Sequence, residues 1–129
     1  MKHNEIINAL TEDFKIKWGA TTEVEWMNSP SRHANIPYVK FHITFTGSEN
    51  ACLGNVKVKH SGLIIVQCFT EINEGYGSAY NLTTQALDLM QNMNLSQIFT
   101  YAGSAEDIGK DPIDSNLYNI NAVIPFEAL

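Results

Sequence analysis

Residues 57–70, KVKHSGLIIVQCFT, say the most about the fold of this chain. The stretch begins by alternating polar and apolar residues, and after Gly62 nearly every residue is apolar. Alternation is typical of a strand with one solvated face, whereas a short continuous apolar run is typical of a strand covered on both faces. The stretch therefore predicts the central strand of a sheet. Its two faces are expected to carry Leu63, Ile65 and Phe69 on one side, and Ile64, Val66 and Cys68 on the other.

Residues 38–46, YVKFHITFT, alternate cleanly and predict the antiparallel partner of this strand. Residues 47–55, GSENACLGN, are expected to form a connection that is too long for a tight hairpin turn. We expect a β-bulge at Gly62, where the central strand bends. One register of this long hairpin places His42 opposite His60, and a shift by one residue would separate them.

Two helices are predicted from apolar residues that recur at a spacing near 3.6. The first covers residues 4–18 and is expected to end at Gly19. The second is expected to begin with Ser78 as its N-cap and to run to about Met93. Their apolar stripes are Ile6, Ile7, Leu10, Phe14 and Trp18 in the first helix, and Leu82, Ala86, Leu89, Met90 and Met93 in the second.

The remaining segments complete a fold of the α+β class. Three more strands are predicted over residues 22–26, 97–103 and 117–126, with an acidic loop over residues 104–115. The order α-β-β-β-α-β-β indicates a mostly antiparallel sheet, with a long central hairpin, packed against two helices. Two helices can cover one face of such a sheet. The second face then needs another cover, which is either the sheet folded over itself or another molecule. The last strand is expected to turn inward Tyr118, Ile120, Ala122, Ile124 and Phe126.

The composition indicates one domain over residues 1–129 with a sparsely charged surface. A chain of 129 residues can bury a core without disulfides or metal. Charged residues make up 17%, below the usual ~25%, while 13 Asn and nine Thr supply polarity. Such a surface is easier to desolvate against a partner than a highly charged one. An ordinary solvated surface has the same composition, so composition alone leaves both alternatives open.

The net charge of −6 argues against a protein that grips nucleic acid. Nucleic-acid binding normally needs a basic face, and the eight Lys and Arg are scattered. The first residues carry acids and lack the apolar run of a signal peptide, and no stretch is apolar enough for a membrane span. We therefore expect a protein without membrane contact, made in a cytoplasm, whose Cys52 and Cys68 stay reduced.

No constellation of reactive residues indicates an enzyme. His42 and His60 lack the third protein ligand that a catalytic zinc needs, and the basic neighbours that activate a thiol are missing beside Cys68. The acids of residues 104–114 do not have calcium-loop spacing. The segment GYGSAY (75–80) lacks both the Walker lysine and the full dinucleotide-binding glycine pattern. The sequence predicts no catalysis, no metal and no cofactor.

Several short motifs resemble those of a family of small bacteriophage proteins. Five motifs follow one another along nearly the whole chain. They are a Pro-Tyr before an alternating strand, a Leu-Gly, a Gly-Leu-Ile-Ile-Val-Gln strand, a glycine-rich loop before a helix, and a closing strand. This pattern is similar to that of the tail terminators of long-tailed phages related to lambda. The loop after residue 70 departs from it, since it lacks a proline and carries Glu71 and Glu74. The matching residues are Pro37 and Tyr38, Leu53 and Gly54, Gly62 to Gln67, Gly75 to Gly77, and Val123 to Phe126.

The resemblance implies a structural protein of the virion tail, assembled in the cytoplasm of a host bacterium. It implies a homo-oligomeric ring, hexameric in this family, that caps the tail tube, ends its polymerisation and offers a surface to the head connector. The implied partners are other copies of the chain, the tail tube protein and the head connector or neck protein. DNA would pass through the ring without specific binding.

Two other functions remain open from the sequence. One is a different phage neck or tail-completion protein of similar fold. The other is a cellular α+β binding module that holds a small apolar ligand between its sheet and helices.

The residues predicted to contact other subunits or partners come from the central strand and from two long connections. Connections longer than the usual ~4–6 residues are often functional or disordered, and solvated tips are the competing interpretation for both. The predicted contact residues are Glu49, Asn50, Leu53 and Gly54 in the hairpin, Leu63, Ile65 and Phe69 in the central strand, and Glu106, Asp107, Asp111 and Asp114 in the acidic loop.

Overall fold

The computed structural model describes residues 1–27, 36–50, 58–72, 76–110 and 116–129. Two helices and seven strands follow one another along the described chain. In chain order they are α1 (His3–Trp18), β1 (Glu23–Trp26), β2 (Tyr38–Asn50), β3 (Val58–Glu71), α2 (Tyr76–Met90), β4 (Asn94–Leu95), β5 (Ile98–Thr100), β6 (Ser104–Lys110) and β7 (Leu117–Ala128).

The seven strands form one sheet with the spatial order β1-β2-β3-β7-β5-β4. Strand β6 pairs with β7 beside β5, so the two short strands share one edge of β7. Strands β1 and β2 are parallel, and the other described pairings are antiparallel. The fold is of the α+β class, and β3 is central, between β2 and β7. The predicted order lacked two strands, β4 and β6.

The register of the long hairpin differs from the prediction. Strand β2 continues to Asn50, so Gly47 to Asn50 belong to a strand and not to the predicted connection. His42 pairs with Ile65, and His60 pairs with Ser48. Of the two possibilities left open by the sequence, the histidines are therefore separated and not opposite each other, because four more residues of β2 take part in pairing. The rest of the predicted connection, 51–55, lies outside the described residues.

Gly62 does not form the predicted bulge. The bulge lies on β2, between Phe45 and Gly47, while Gly62 pairs regularly with Phe45 and Phe126. A Cβ at Gly62 would lie 2.7 Å from the Phe126 ring and would collide with the Thr44 carbonyl oxygen. The glycine is therefore required by the aromatic ring that packs across it and not by a bend of its own strand.

The first helix matches its prediction closely. Its stripe of Ile6, Leu10, Phe14 and Trp18 is buried. The helix ends at Trp18 and is capped by Gly19, whose φ of 56° lies in the region that favours glycine.

The second helix differs from its prediction at both ends. It begins at Tyr76, so Ser78 lies in its first turn and is not the N-cap. It ends at Met90 because Thr100 takes over the next hydrogen bonds. The Thr100 hydroxyl donates to the Met90 carbonyl at 2.6 Å and accepts from the Met93 N–H at 2.8 Å.

Both helices pack on the same face of the sheet, which we call the helix side. One continuous core joins α1 and α2 to alternate residues of β2, β3 and β7, and most of its members are fully buried. From the sheet this core takes Val39, Phe41, Ile43, Ile64, Val66, Cys68, Ile98, Ala122, Ile124, Phe126 and Ala128. The predicted inward residues of the last strand are confirmed except for Tyr118, which is half-buried.

Residues 104–110 were expected to belong to a loop, and they form strand β6. The strand pairs with β7, but nearly all of its side chains are exposed, including Ile108 at 49%. Because neither face of β6 is covered, its sequence does not alternate, and periodicity could not reveal it. Residues 111–115 of the predicted loop lie outside the described residues.

Candidate functional site: a sheet face without helices

The candidate functional site is the face of the sheet opposite the helix side. We call it the helix-free face, because no helix of the described chain packs on it. Strand pairing and the alternation of side chains place three parallel columns of residues on it. They are Tyr38, Lys40, His42 and Thr44 of β2, Leu63, Ile65, Gln67 and Phe69 of β3, and Asn119, Asn121, Val123 and Pro125 of β7.

The middle of this face is apolar. Ile65 pairs with Val123, and Leu63 pairs with Pro125, so these four residues form a contiguous group, which we call the apolar centre. Leu63, Ile65 and Val123 are half-buried and Pro125 is exposed, although β3 and β7 are interior strands of the sheet. On the helix side their neighbours Ile64 and Ile124 are fully buried. The apolar centre is therefore left without a cover by the described chain.

The end of the face nearest Phe69 is covered by the chain itself. Phe69 is 4% exposed, and its ring stacks on Tyr38 with centroids 4.9 Å apart. Leu117 belongs to the same buried cluster, and the Lys40 ammonium lies 5.3 Å from the centre of the Phe69 ring. The prediction that both faces of β3 are covered thus holds at Phe69, while Leu63 and Ile65 remain partly open.

Two asparagines bring buried acceptors to this face. The side-chain oxygens of Asn119 and Asn121 are buried without a hydrogen-bond partner in the described part of the chain. A buried unsatisfied acceptor costs free energy, so groups of this kind are normally paired.

Charged residues lie at both ends of the apolar centre, along the direction of the strands. At the end toward Phe69, Lys40 lies 3.6 Å from Glu25, and exposed Glu106 pairs with Asn121 in the strand register. At the other end Lys59 lies 2.7 Å from Glu49 and 3.7 Å from Glu127. The hydrogen bond between Lys59 and Glu49 lowers the pKa of Glu49 and raises that of Lys59. An apolar centre between charged ends is the usual arrangement of a protein–protein contact.

The predicted contact residues divide into separate groups. Glu49 lies near the end of β2 and is bound to Lys59, and Asn50 is the last residue of that strand. Glu106 belongs to the helix-free side of β6. Asp107 points the other way, where its carboxylate accepts from the Tyr118 hydroxyl at 2.7 Å. The described acids among them, Glu49, Glu106 and Asp107, therefore do not form one cluster. Leu53, Gly54, Asp111 and Asp114 lie outside the described residues.

The histidines are distributed over both sides of the sheet. His42 is half-buried on the helix-free face, and burial lowers its pKa. His60 lies on the helix side, with its ring centroid 4.3 Å from that of His3 and its Nδ1 2.6 Å from the Ser48 hydroxyl. Loss of solvation lowers the His60 pKa, and nearby His3 adds to the effect. No group of three His, Cys, Asp or Glu among the described residues could hold a metal ion.

The described cysteine is a core residue. Cys68 is fully buried, and burial raises the pKa of its thiol to about 11. The thiol is therefore protonated at neutral pH and is not a nucleophile. Cys52 lies outside the described residues.

The cluster of His3 and His60 was not anticipated from the sequence. The two residues line an open pocket of about 660 Å³ that also touches Met1, Glu5 and Leu129. Its members come from the start of α1, the long hairpin and the end of the chain, so only long-range packing brings them together.

Comparison with known proteins identifies the fold and no function. No protein-family model matches the chain, and no curated protein does. Fourteen solved chains match the fold. One of them, named only by a sequence number, aligns over 95% of this chain and 94% of its own length, with a TM-score of 0.65 and 11% identity. No helix in the described part of the chain is long and apolar enough to cross a membrane.

Proposed function

We propose that this protein forms a ring that caps the tail tube of a long-tailed bacteriophage, ends the polymerisation of the tube and provides the surface to which the head connector attaches. The motifs that resemble those of tail terminators are the reason for proposing this family. The observation that carries the mechanism is the apolar centre of the helix-free face, Leu63, Ile65, Val123 and Pro125, which the described chain leaves partly exposed.

A ring needs such a surface for a geometric reason. Copies related by rotation about a ring axis meet through two different patches, so each chain must offer one surface that receives its neighbour. Uncovered apolar side chains lose contact with water when a neighbour docks, which favours association. The polar and charged residues around the apolar centre keep the free chain soluble and define the register of docking.

The charge of the chain suits a ring through which DNA passes. With a net charge of −6, each copy would repel the phosphate backbone and would release no counterions on contact with it. In this function the protein is not an enzyme, and it acts through shape and surface without a cofactor.

The proposal is tested by negative-stain imaging of the purified protein with and without tail tubes of the cognate phage. We expect a ring at one end of each tube and tubes of uniform length when the protein is present during polymerisation. Rings on empty heads and not on tubes would indicate a neck protein instead. Tubes of unchanged length distribution without a terminal ring would contradict the proposal.

A pair of substitutions gives the matched control. Ile65→Asp places a charge in the apolar centre and should abolish the ring. Thr84→Asp places the same charge on an exposed position of α2 and should leave the ring intact. Equal behaviour of the two variants would show that the helix-free face takes no part in assembly.

A further inference from the structure

We infer that the helix-free face receives the last turn of α1 from a second copy of the chain, with Ile16 packed on the apolar centre. This inference rests on the proposed ring and names the two patches that meet in it. The observations that carry it are the exposure of Ile16, its position relative to the helix-free face and the charges around both patches.

Ile16 is the most exposed of the large apolar side chains that the structure describes, at 77%. Its neighbours on the buried side of α1, Phe14 and Trp18, are 0% and 2% exposed. Ile16 therefore lies on the surface of α1 that points away from the sheet. The described core of a single chain does not use its side chain, and a small surface residue would serve the helix equally well.

The two patches lie on opposite sides of the molecule. Helix α1 covers the helix side of the sheet and presents Ile16 outward, whereas the apolar centre lies on the other face. A contact between them cannot be symmetric, because the two patches face in opposite directions and cannot both lie in one interface. Each chain then uses one patch for one neighbour and the other patch for the next. Contacts of this kind build rings when the rotation between copies closes.

The charges of the two patches are complementary. The last turn of α1 carries Lys15 and Lys17, and Lys17 is held by Asp13 at 2.9 Å, so exposed Lys15 is the cation beside Ile16. Around the apolar centre the acids outnumber the cations. Lys40 is bound to Glu25, while Glu106 is exposed and appears in no ion pair of the described residues.

The residues that follow Ile16 leave room for this contact. Helix α1 ends shortly after Ile16, and the next residues, Gly19 and Ala20, are small and allow close approach to the sheet of the neighbouring copy.

Crosslinking tests the contact directly. Ile16→Cys and Ile65→Cys are combined in one chain that also carries Cys52→Ser, and the purified variant is treated with a short bismaleimide. Cys68 does not compete for the reagent, because its thiol is buried and protonated. We expect a ladder of covalent oligomers that ends at the ring size. A mixture of the two single variants should stop at the dimer, because each chain then carries one reactive patch.

A second double variant is the control for this crosslink. Asn8→Cys combined with Ile65→Cys uses an exposed position nearer the start of α1, away from its last turn, and should give no ladder. Equal ladders from the two double variants would show that the crosslinks report collisions and not the proposed contact, and would overturn the inference.

A charge exchange tests the polar part of the contact. Lys15→Glu and Glu106→Lys should each weaken association at least tenfold in sedimentation, and the double variant should recover most of the loss. Single variants that associate like the unmodified chain, or a double variant without recovery, would overturn the charge pairing.

The outcomes separate this inference from the proposed function. Rings on tube ends without an Ile16–Ile65 ladder would overturn the inference and leave the function standing, with the helix-free face then available to the tube protein. A ladder without any effect on tubes would support the inference and overturn the function. A chain that stays monomeric at every concentration and gives no ladder would overturn the inference.

Discussion

The two faces of the central sheet are built from the same strands and have opposite characters. On the helix side Ile64 and Val66 are 0% exposed beneath α1 and α2. On the helix-free face their immediate neighbours Leu63 and Ile65 are only half-buried. The helix side is closed by the chain itself, so its apolar residues serve folding. The helix-free face carries apolar residues that remain partly exposed after the chain has folded.

The largest expected difference between the faces follows from placing a charge on each of two adjacent residues. Ile64→Asp buries a carboxylate among apolar side chains, which costs several kcal/mol and should prevent folding at neutral pH. Ile65→Asp can reach water and should lower the free energy of unfolding by about 1 kcal/mol. Circular dichroism of the free chain shows whether each variant folds, and urea unfolding measures its free energy of unfolding. Similar losses of stability in the two variants would show that the faces do not differ.

Phe69 allows a second test of the two faces, because it lies on the helix-free face but is covered. Phe69→Ala should lower the free energy of unfolding by about 3 kcal/mol through loss of the contacts with Tyr38 and Leu117. Assembly measured under conditions where the variant is folded should be retained. A variant of unchanged stability that no longer assembles would place Phe69 in the subunit contact instead.

Two glycines of the long hairpin provide the next test of the helix side. Gly62→Ala forces its new methyl group against the Phe126 ring and should cost about 1–3 kcal/mol in urea unfolding. Gly47→Ala is the matched control, because a Cβ there has no atom within 4 Å. It should change stability by less than about 0.5 kcal/mol. Equal costs would mean that Phe126 does not pack across Gly62.

The smallest expected effect concerns His42 on the helix-free face. Burial lowers its pKa in the folded chain below the ordinary value of 6.5, so the unfolded chain binds the proton more readily. The stability that neutral His42 provides is complete above pH 6.5 and declines as the pH falls toward its folded pKa. The unmodified chain should therefore lose more stability than His42→Gln as the pH falls from about 7.5 to about 5.5.

Assembly should also change the pKa of His42. A second copy that covers the helix-free face should lower the His42 pKa further, because it removes more water from the imidazole. An NMR titration of the free and the assembled protein would detect the difference. An unchanged or raised pKa on assembly would argue against burial of this face.

Local periodicity was sufficient for the elements that bury one stripe or one face. The helix over residues 4–18, the central strand and the inward side of the last strand were predicted because burial imposes a period of 3.6 or 2 on the sequence. The α+β class followed from the order of these elements. The apolar residues of β3 also indicate by their spacing alone that its second face needs a cover.

Other features depended on pairing between distant segments. The register that separates His42 from His60, the bulge on β2, the requirement for glycine at residue 62 and the hydrogen bonds of Thr100 all involve partners in other elements of the fold. Strand β6 left no periodic signal, because backbone pairing with β7 holds it while its side chains remain in water.

The spacing of the apolar residues is readable in the sequence alone, and it is enough to predict which helices and strands can form. Their placement is a property of the folded chain: both helices lie on the same side of the sheet, so that Leu63, Ile65 and Val123 remain partly open while Ile64 and Ile124 are enclosed. This is so because periodicity reports that a residue is buried without showing what buries it. That choice is made by packing among segments that are distant along the chain.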